Sequence, residues 1–135
     1  MVNKLTLTAL EKAIQSLAEA LEAYNKTLDV FIRDAVIQRF EYTYELSHKL
    51  LKRHLEMTSA NPDEIDTLSF QDLIRLGSEH RLLLSGWDQW SHFRKLRGAT
   101  SHTYDESKAL EVIKQIPQFY EEAHFLLKQL QAQNL

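Results

Sequence analysis

Arg97 and His102 have four residues between them in the segment RGATSHTY, and Tyr104 follows two residues later. A histidine can take the proton from an RNA 2′-hydroxyl or give one to the leaving oxygen. An arginine can hold the extra negative charge that develops on phosphorus. The two residue types therefore suffice for cleaving a phosphodiester in RNA without a metal ion. One histidine cannot easily do both proton transfers, so a symmetric dimer with two such loops face to face would complete the site. Arg97 and His102 are the predicted catalytic pair, RNA rather than DNA is the predicted substrate, and no metal or cofactor is expected. Spacing alone does not single this pair out. Seven Arg and six His in 135 residues produce about one such match by chance, and Arg75 with His80 is another. Context separates them: Arg97 ends a basic helix and His102 faces a capped helix start, whereas Arg75 and His80 straddle a short helix and its glycine.

The surroundings of the motif are basic. Between Arg81 and Tyr104 stand Arg81, Arg94, Lys95 and Arg97 against the single acid Asp88, a local charge of +3; the rest of the chain carries −6, for a total of −3. Arg94, Lys95 and Arg81 are the candidate RNA contacts, because cations hold phosphates while aromatic rings stack on unpaired bases. The aromatic residues in between have a simpler use. Trp87, Trp90 and Phe93 recur at intervals near three, which assigns them to the buried face of a helix.

Other chemistries fit poorly. There is no cysteine, which excludes disulfides, thiolate nucleophiles and thiolate metal sites. Two Glu-x-x-His pairs, Glu45/His48 and Glu121/His124, resemble half of a di-iron bundle set. The helical wheel turns Glu121 about 160° from Ala123 and so toward solvent, and no metal site is assigned. On the second helix Asp34, Glu41, Glu45, His48 and Lys52 make a polar shoulder. It reads as a solvated edge with pairs such as Glu45 and Lys49, or as a surface that holds basic groups of a partner.

These residues must be carried by helices. Leu7, Leu10, Ile14, Leu17, Leu21, Tyr24 and Leu28 alternate at three and four residues, a stripe for packing nearly parallel helices. Thr8 and Glu11 fit a capping box. A second helix is predicted over about Asp29–Glu56. Its main apolar face is Ile37, Phe40, Tyr44, Leu51 and Leu55, and a second runs through Tyr42, Leu46 and Leu50. Two apolar sides require two partners, either both in the bundle or one in a second subunit. Met57 to Leu68 reads as a loop. A short helix follows, capped by Ser69 and stopped by Gly77. Another runs from Gly86 or Trp87 to Arg97 and stops at Gly98. After a loop to Asp105, a last helix covers about Glu106–Gln131, with a kink at Pro117. With 3 Gly, 2 Pro and no strand signal, residues 1–135 form one all-α domain: an up-and-down helical bundle of four long helices and one short one. No apolar run approaches a membrane span of about 20 residues, and the N-terminus lacks the apolar stretch of a secretory signal. A cytoplasmic protein without a membrane partner is expected.

The segment Arg97-Gly-Ala-Thr-Ser-His102-Thr-Tyr104-Asp-Glu resembles the Arg-x4-6-His-x-Tyr motif of HEPN-domain proteins. More narrowly, the chain is similar to the HepT-like group, also described as nucleotidyltransferase substrate-binding proteins. Phe40-Glu41-Tyr42-Thr43-Tyr44-Glu45-Leu46, running on through Lys49 and Lys52, resembles that group's second helix, and Trp90 falls where the group tends to carry an aromatic. The resemblance implies a homodimeric bundle encoded beside a minimal nucleotidyltransferase. In toxin–antitoxin versions the bundle is the toxin, a metal-independent ribonuclease, with Arg97 and His102 in the catalytic positions. Tyr104 then resembles the tyrosine that the partner antitoxin adenylylates, and a phosphate there would put negative charge beside Arg97 and block RNA. The alternative implied role is a non-catalytic substrate-binding subunit of the nucleotidyltransferase. The chain departs from the motif at Gly98, where a polar residue, often Asn, is common.

Overall fold

The computed structural model describes residues 5–134. Six α-helices and one 3-10 turn account for the regular structure, and no strand occurs among the described residues: α1 Thr8–Thr27, α2 Val30–Thr58, α3 Pro62–Asp66, α4 Phe70–Glu79, α5 Trp87–Ala99, the 3-10 turn Thr100–His102, and α6 Glu106–Gln133. The four long helices and the short one expected from sequence are α1, α2, α5, α6 and α4. The five-residue α3 lies inside the stretch read as a loop. Pro62 opens it at a position where a missing N–H costs nothing, and the buried Ile65 anchors it.

The heptad stripe of α1 is a core face from Leu7 to Leu21, with Tyr24 half-buried and Leu28 exposed at its end. Leu10, Ile14 and Leu17 are fully or almost fully buried, and α1 packs mainly on α2 and also on α6. The capping box does not form. The helix starts at Thr8 as expected, but Leu7 occupies the cap without a side-chain bond, and the Glu11 N–H bonds the Leu7 carbonyl. Leu28 takes a left-handed conformation (φ 53°) between α1 and α2. Asp29 then caps α2 by accepting from the N–H groups of Phe31 and Ile32 at 2.8 and 3.1 Å. This tight turn makes α1 and α2 neighbours over most of their lengths.

α2 packs on α1, α6, α3 and α4, which covers its main apolar face, while on its second face Leu46 is half-buried and Tyr42 exposed. Tyr42 reaches the Ser16 hydroxyl on α1, and Leu50 is buried. Seven aromatic residues fill the centre: Phe40 and Tyr44 from α2, Phe70 from α4, Trp87, Trp90 and Phe93 from α5, and Phe119 from α6. Trp90 and Phe93 are wholly enclosed, as their spacing indicated, whereas Trp87, assigned to the same face, is half-buried.

Neither glycine stop holds. α4 continues two residues past Gly77, whose missing side chain lets Leu51 and Leu83 close in: a Cβ there would meet a Cδ1 of each at 3.1 Å. α5 continues through Gly98 to Ala99 and runs directly into the 3-10 turn. α6 runs unbroken across Pro117 and two residues beyond the expected end. No helix is long and apolar enough to cross a membrane, among the described residues.

Candidate functional site

The motif turn sits between the end of α5 and the start of α6. Thr100 to His102 form the 3-10 turn, held by Ser101 Oγ on the Gly98 carbonyl (3.0 Å) and Thr103 Oγ1 on the Thr100 carbonyl (3.1 Å). Asp105 caps α6 by accepting from the Ser107 N–H at 2.9 Å and its hydroxyl at 2.8 Å. These bonds, those to Ser107 foremost, hold the Asp105 carboxyl below the usual carboxylate range. Arg33, buried at the start of α2, then clamps Glu106 with two bonds of 2.7 and 2.9 Å. The loop is thus pinned on both flanks.

Within this frame His102 and Tyr104 are exposed, with ring centroids 6.2 Å apart in an edge-on arrangement. Tyr104 is 88% exposed, so its phenol is open to a second protein. Arg97 is oriented differently, back across α2. Its Nη2 donates to Glu45 Oε1 at 2.6 Å, and its Nη1 lies 3.1 Å from Glu41 Oε2 and 3.0 Å from Thr100 Oγ1. The Thr100 hydroxyl is itself 3.2 Å from Glu41 Oε2 and 2.6 Å from the Arg97 carbonyl. Glu41 and Glu45 are four apart and so share a face of α2. The polar shoulder is therefore neither a free solvated edge nor a Glu45–Lys49 pair: it holds a basic group of its own chain. Its far end pairs Lys52 with Asp66 at 2.8 Å.

The other basic candidates are dispersed. Arg94, one turn before Arg97, lays its guanidinium over the Phe70 ring at 5.2 Å. His48 packs edge-on against the same ring at 4.8 Å. Burial, with lesser contributions from the Lys52 and Arg94 charges, lowers the pKa of His48 below the usual histidine value. Lys95 points the other way, into a shallow cleft with His92, Glu111 and Gln115 between α5 and α6. Arg81 lies at the opposite end of the bundle. The His80 carbonyl beside it accepts from Gln133 at the end of α6, and 28 residues of helix put roughly 42 Å between the two ends of α6. The +3 of the sequence segment is thus not one surface. A cavity of about 430 Å³ between α2, α3 and α4 also lies at that far end, and none of Arg97, His102 and Tyr104 lines it.

Glu121 faces solvent, as the wheel indicated. Its neighbour Glu122 is the buried carboxylate: it accepts from the Leu84 N–H at 2.7 Å and fixes the turn that enters α5. Burial pushes the Glu122 carboxyl up, against the pull of its bonds to Ser85 and Leu84. Among the described residues no group of three or more His, Asp or Glu could share a metal ion.

Residues 5–132 match the family described as nucleotidyltransferase substrate binding protein like. The chain is 36% identical to a probable ribonuclease HepT of Haemophilus influenzae, over 99% of this chain and 97% of that one. It superposes with a TM-score of 0.87 and 33% identity on a Haemophilus influenzae structure described as the substrate binding domain of a nucleotidyltransferase, covering 93% of this chain and 99% of that one. A Thermus thermophilus structure follows at a TM-score of 0.68 and 29% identity, over 92% and 97%.

Proposed function

Because the chain belongs to the nucleotidyltransferase substrate-binding protein family, in its HepT-like group, we propose that it is the ribonuclease toxin of a two-protein system whose antitoxin is a minimal nucleotidyltransferase. The observation that carries this reading is the turn directly after Arg97, fastened on both sides, which holds His102 and the 88%-exposed Tyr104 in solvent at one end of the bundle. His102 takes the 2′-hydroxyl proton of RNA, the 2′-oxygen attacks phosphorus, and the 5′-oxygen leaves with a proton from the second His102 of a homodimer. Arg97 holds the charge that grows on the phosphoryl oxygens.

Silencing uses the third residue. The partner directs the Tyr104 oxygen onto the α-phosphorus of ATP; pyrophosphate leaves, the phenol loses its proton, and AMP remains attached. The added phosphate and base then fill the approach to His102. Both proteins act in the cytoplasm, where RNA and ATP are available.

The test is cleavage of single-stranded RNA in EDTA by wild type, Arg97→Ala and His102→Ala. Cleavage by the wild type alone is the expected result; equal cleavage by all three overturns the site. One observation favours a second reading. Arg97 is tied to two carboxylates rather than free, as a non-catalytic substrate-binding subunit would tolerate. That subunit would show no cleavage, yet bind the nucleotidyltransferase and change its rate.

A further inference from the structure

We propose that the two carboxylates on Arg97 have different tasks: Glu45 occupies the place of the substrate phosphate, while Glu41 with Thr100 positions the guanidinium. The inference rests on the RNA-cleaving reading above and deepens it.

The asymmetry is geometric. Glu41 is one-third exposed and belongs to a closed set of contacts, with Arg97 Nη1 at 3.1 Å and the buried Thr100 hydroxyl at 3.2 Å. Thr100 in turn touches both the side chain and the carbonyl of Arg97. This set survives the loss of Glu45. Glu45 is 62% exposed, and the contact with Arg97 Nη2 at 2.6 Å is its one side-chain bond among the described residues. Its carboxylate sits on the terminal edge of the guanidinium, which is the edge that carboxylates and phosphates both recognise. Arg97 Nε is buried without a partner among the described residues and offers no alternative face.

Charge gives the consequence. Two carboxylates about one guanidinium leave the cluster net negative, so a phosphodiester approaching Arg97 is repelled until Glu45 swings out. As an exposed side chain with one bond, Glu45 can do so without disturbing the helix. Glu41 stays, and keeps Arg97 aimed. Glu45 is thus a competitor of substrate, and Glu41 and Thr100 are positioning residues.

The experiment measures kcat and KM on a fluorescent single-stranded RNA in EDTA. The purified full-length chains are wild type, Glu45→Gln, Glu41→Gln, Thr100→Val and Thr100→Ser. Glu45→Gln should lower KM at least threefold with kcat within twofold. Glu41→Gln and Thr100→Val should lower kcat tenfold or more with KM within twofold, and Thr100→Ser should restore it. An unchanged or raised KM in Glu45→Gln, or an unchanged kcat in both Glu41→Gln and Thr100→Val, overturns the assignment. A second readout does not need cleavage: the NMR signal of Arg97 Nε–H during titration with inorganic phosphate. It should move at lower phosphate concentration in Glu45→Gln than in wild type. If wild type cuts no RNA, the ribonuclease reading fails by itself, and equal phosphate midpoints in the two proteins reject the Glu45 assignment separately.

Discussion

Arg33 and Glu106 lie 73 positions apart in the chain and meet through two parallel hydrogen bonds of 2.7 and 2.9 Å. The pair ties the first turn of α2 to the first residue of α6, immediately after the motif turn. Arg33 is buried, with 5% of its side chain exposed, whereas Glu106 faces water. Truncating the glutamate therefore leaves an enclosed cation without its partner. Glu106→Ala should lower Tm by a few degrees at neutral pH and loosen the motif turn, seen as faster amide exchange at Ser101–Asp105. The bond to Arg33 depresses the Glu106 carboxyl below its ordinary value. Its stabilisation is thus present above the unfolded value near 4.3 and lost as pH falls through the lower folded value. The Tm difference between wild type and Glu106→Gln should shrink over that acid range; a difference constant down to pH 2 would contradict the pairing.

Glu122 should show the opposite slope. Burial raises its folded value, so its contribution is fully present below the unfolded value and declines as pH rises through the raised one. Glu122→Gln keeps an acceptor for the Leu84 N–H without the charge, and should gain stability relative to wild type as pH increases from 4 toward 7. Glu122→Leu removes the acceptor and should cost about 1–3 kcal/mol across the whole range. Urea denaturation at several pH values checks both.

The two helix glycines should respond with opposite signs to the same change. Gly77→Ala forces a methyl to 3.1 Å from Leu51 and Leu83, both buried and unable to retreat freely. It should destabilise by about 1 kcal/mol or more, despite the helix preference for alanine. Gly98→Ala meets nothing within 4 Å inside α5, so helix propensity acts unopposed and should stabilise by up to about 1 kcal/mol. Denaturation midpoints of the two variants decide this; a stabilised Gly77→Ala would mean that α4 can move off Leu51.

Tyr104→Phe should leave Tm within about 2 °C of wild type, because the ring is almost fully solvated and carries no packing. RNA cleavage should persist, and co-expression with the nucleotidyltransferase should no longer silence it. Mass spectrometry of the wild type from the same co-expression should show an added AMP on Tyr104. Full silencing of Tyr104→Phe would place the modification elsewhere.

Most of the architecture was legible from local pattern. The α1 stripe from Leu7 to Leu21, the Ser69 cap and the burial of Trp90 and Phe93 each depend on residues within a turn or two of one another, and these form as read, while Leu28 is exposed and Trp87 only half-buried. The misreadings have a common origin. Gly77 and Gly98 look like helix ends because glycine often ends helices, but whether it does so depends on what the next turn packs against. At Gly77 that is Leu51 and Leu83, residues outside the local window. Buried Arg33 and Glu122 gave no local signal, because the groups that offset the cost of enclosing their charges lie 73 and 38 positions away.

The candidate site divides along the same line. Sequence by itself determined which groups are available: no thiolate, an Arg and a His with four residues between them, a Tyr two residues on, and a helical scaffold to carry them. Covalent spacing is enough for that, since all three stand within eight residues. Only the tertiary structure decided where they face. It brings the end of α5 within side-chain reach of α2, so that Arg97 meets Glu41 and Glu45 while His102 and Tyr104 stay in solvent. It also sends Arg81 to the far end of α6 and turns Lys95 away from Arg94. The strength of an ion pair depends on separation in space, and charges that form one cluster along the chain become several different environments once the helices pack.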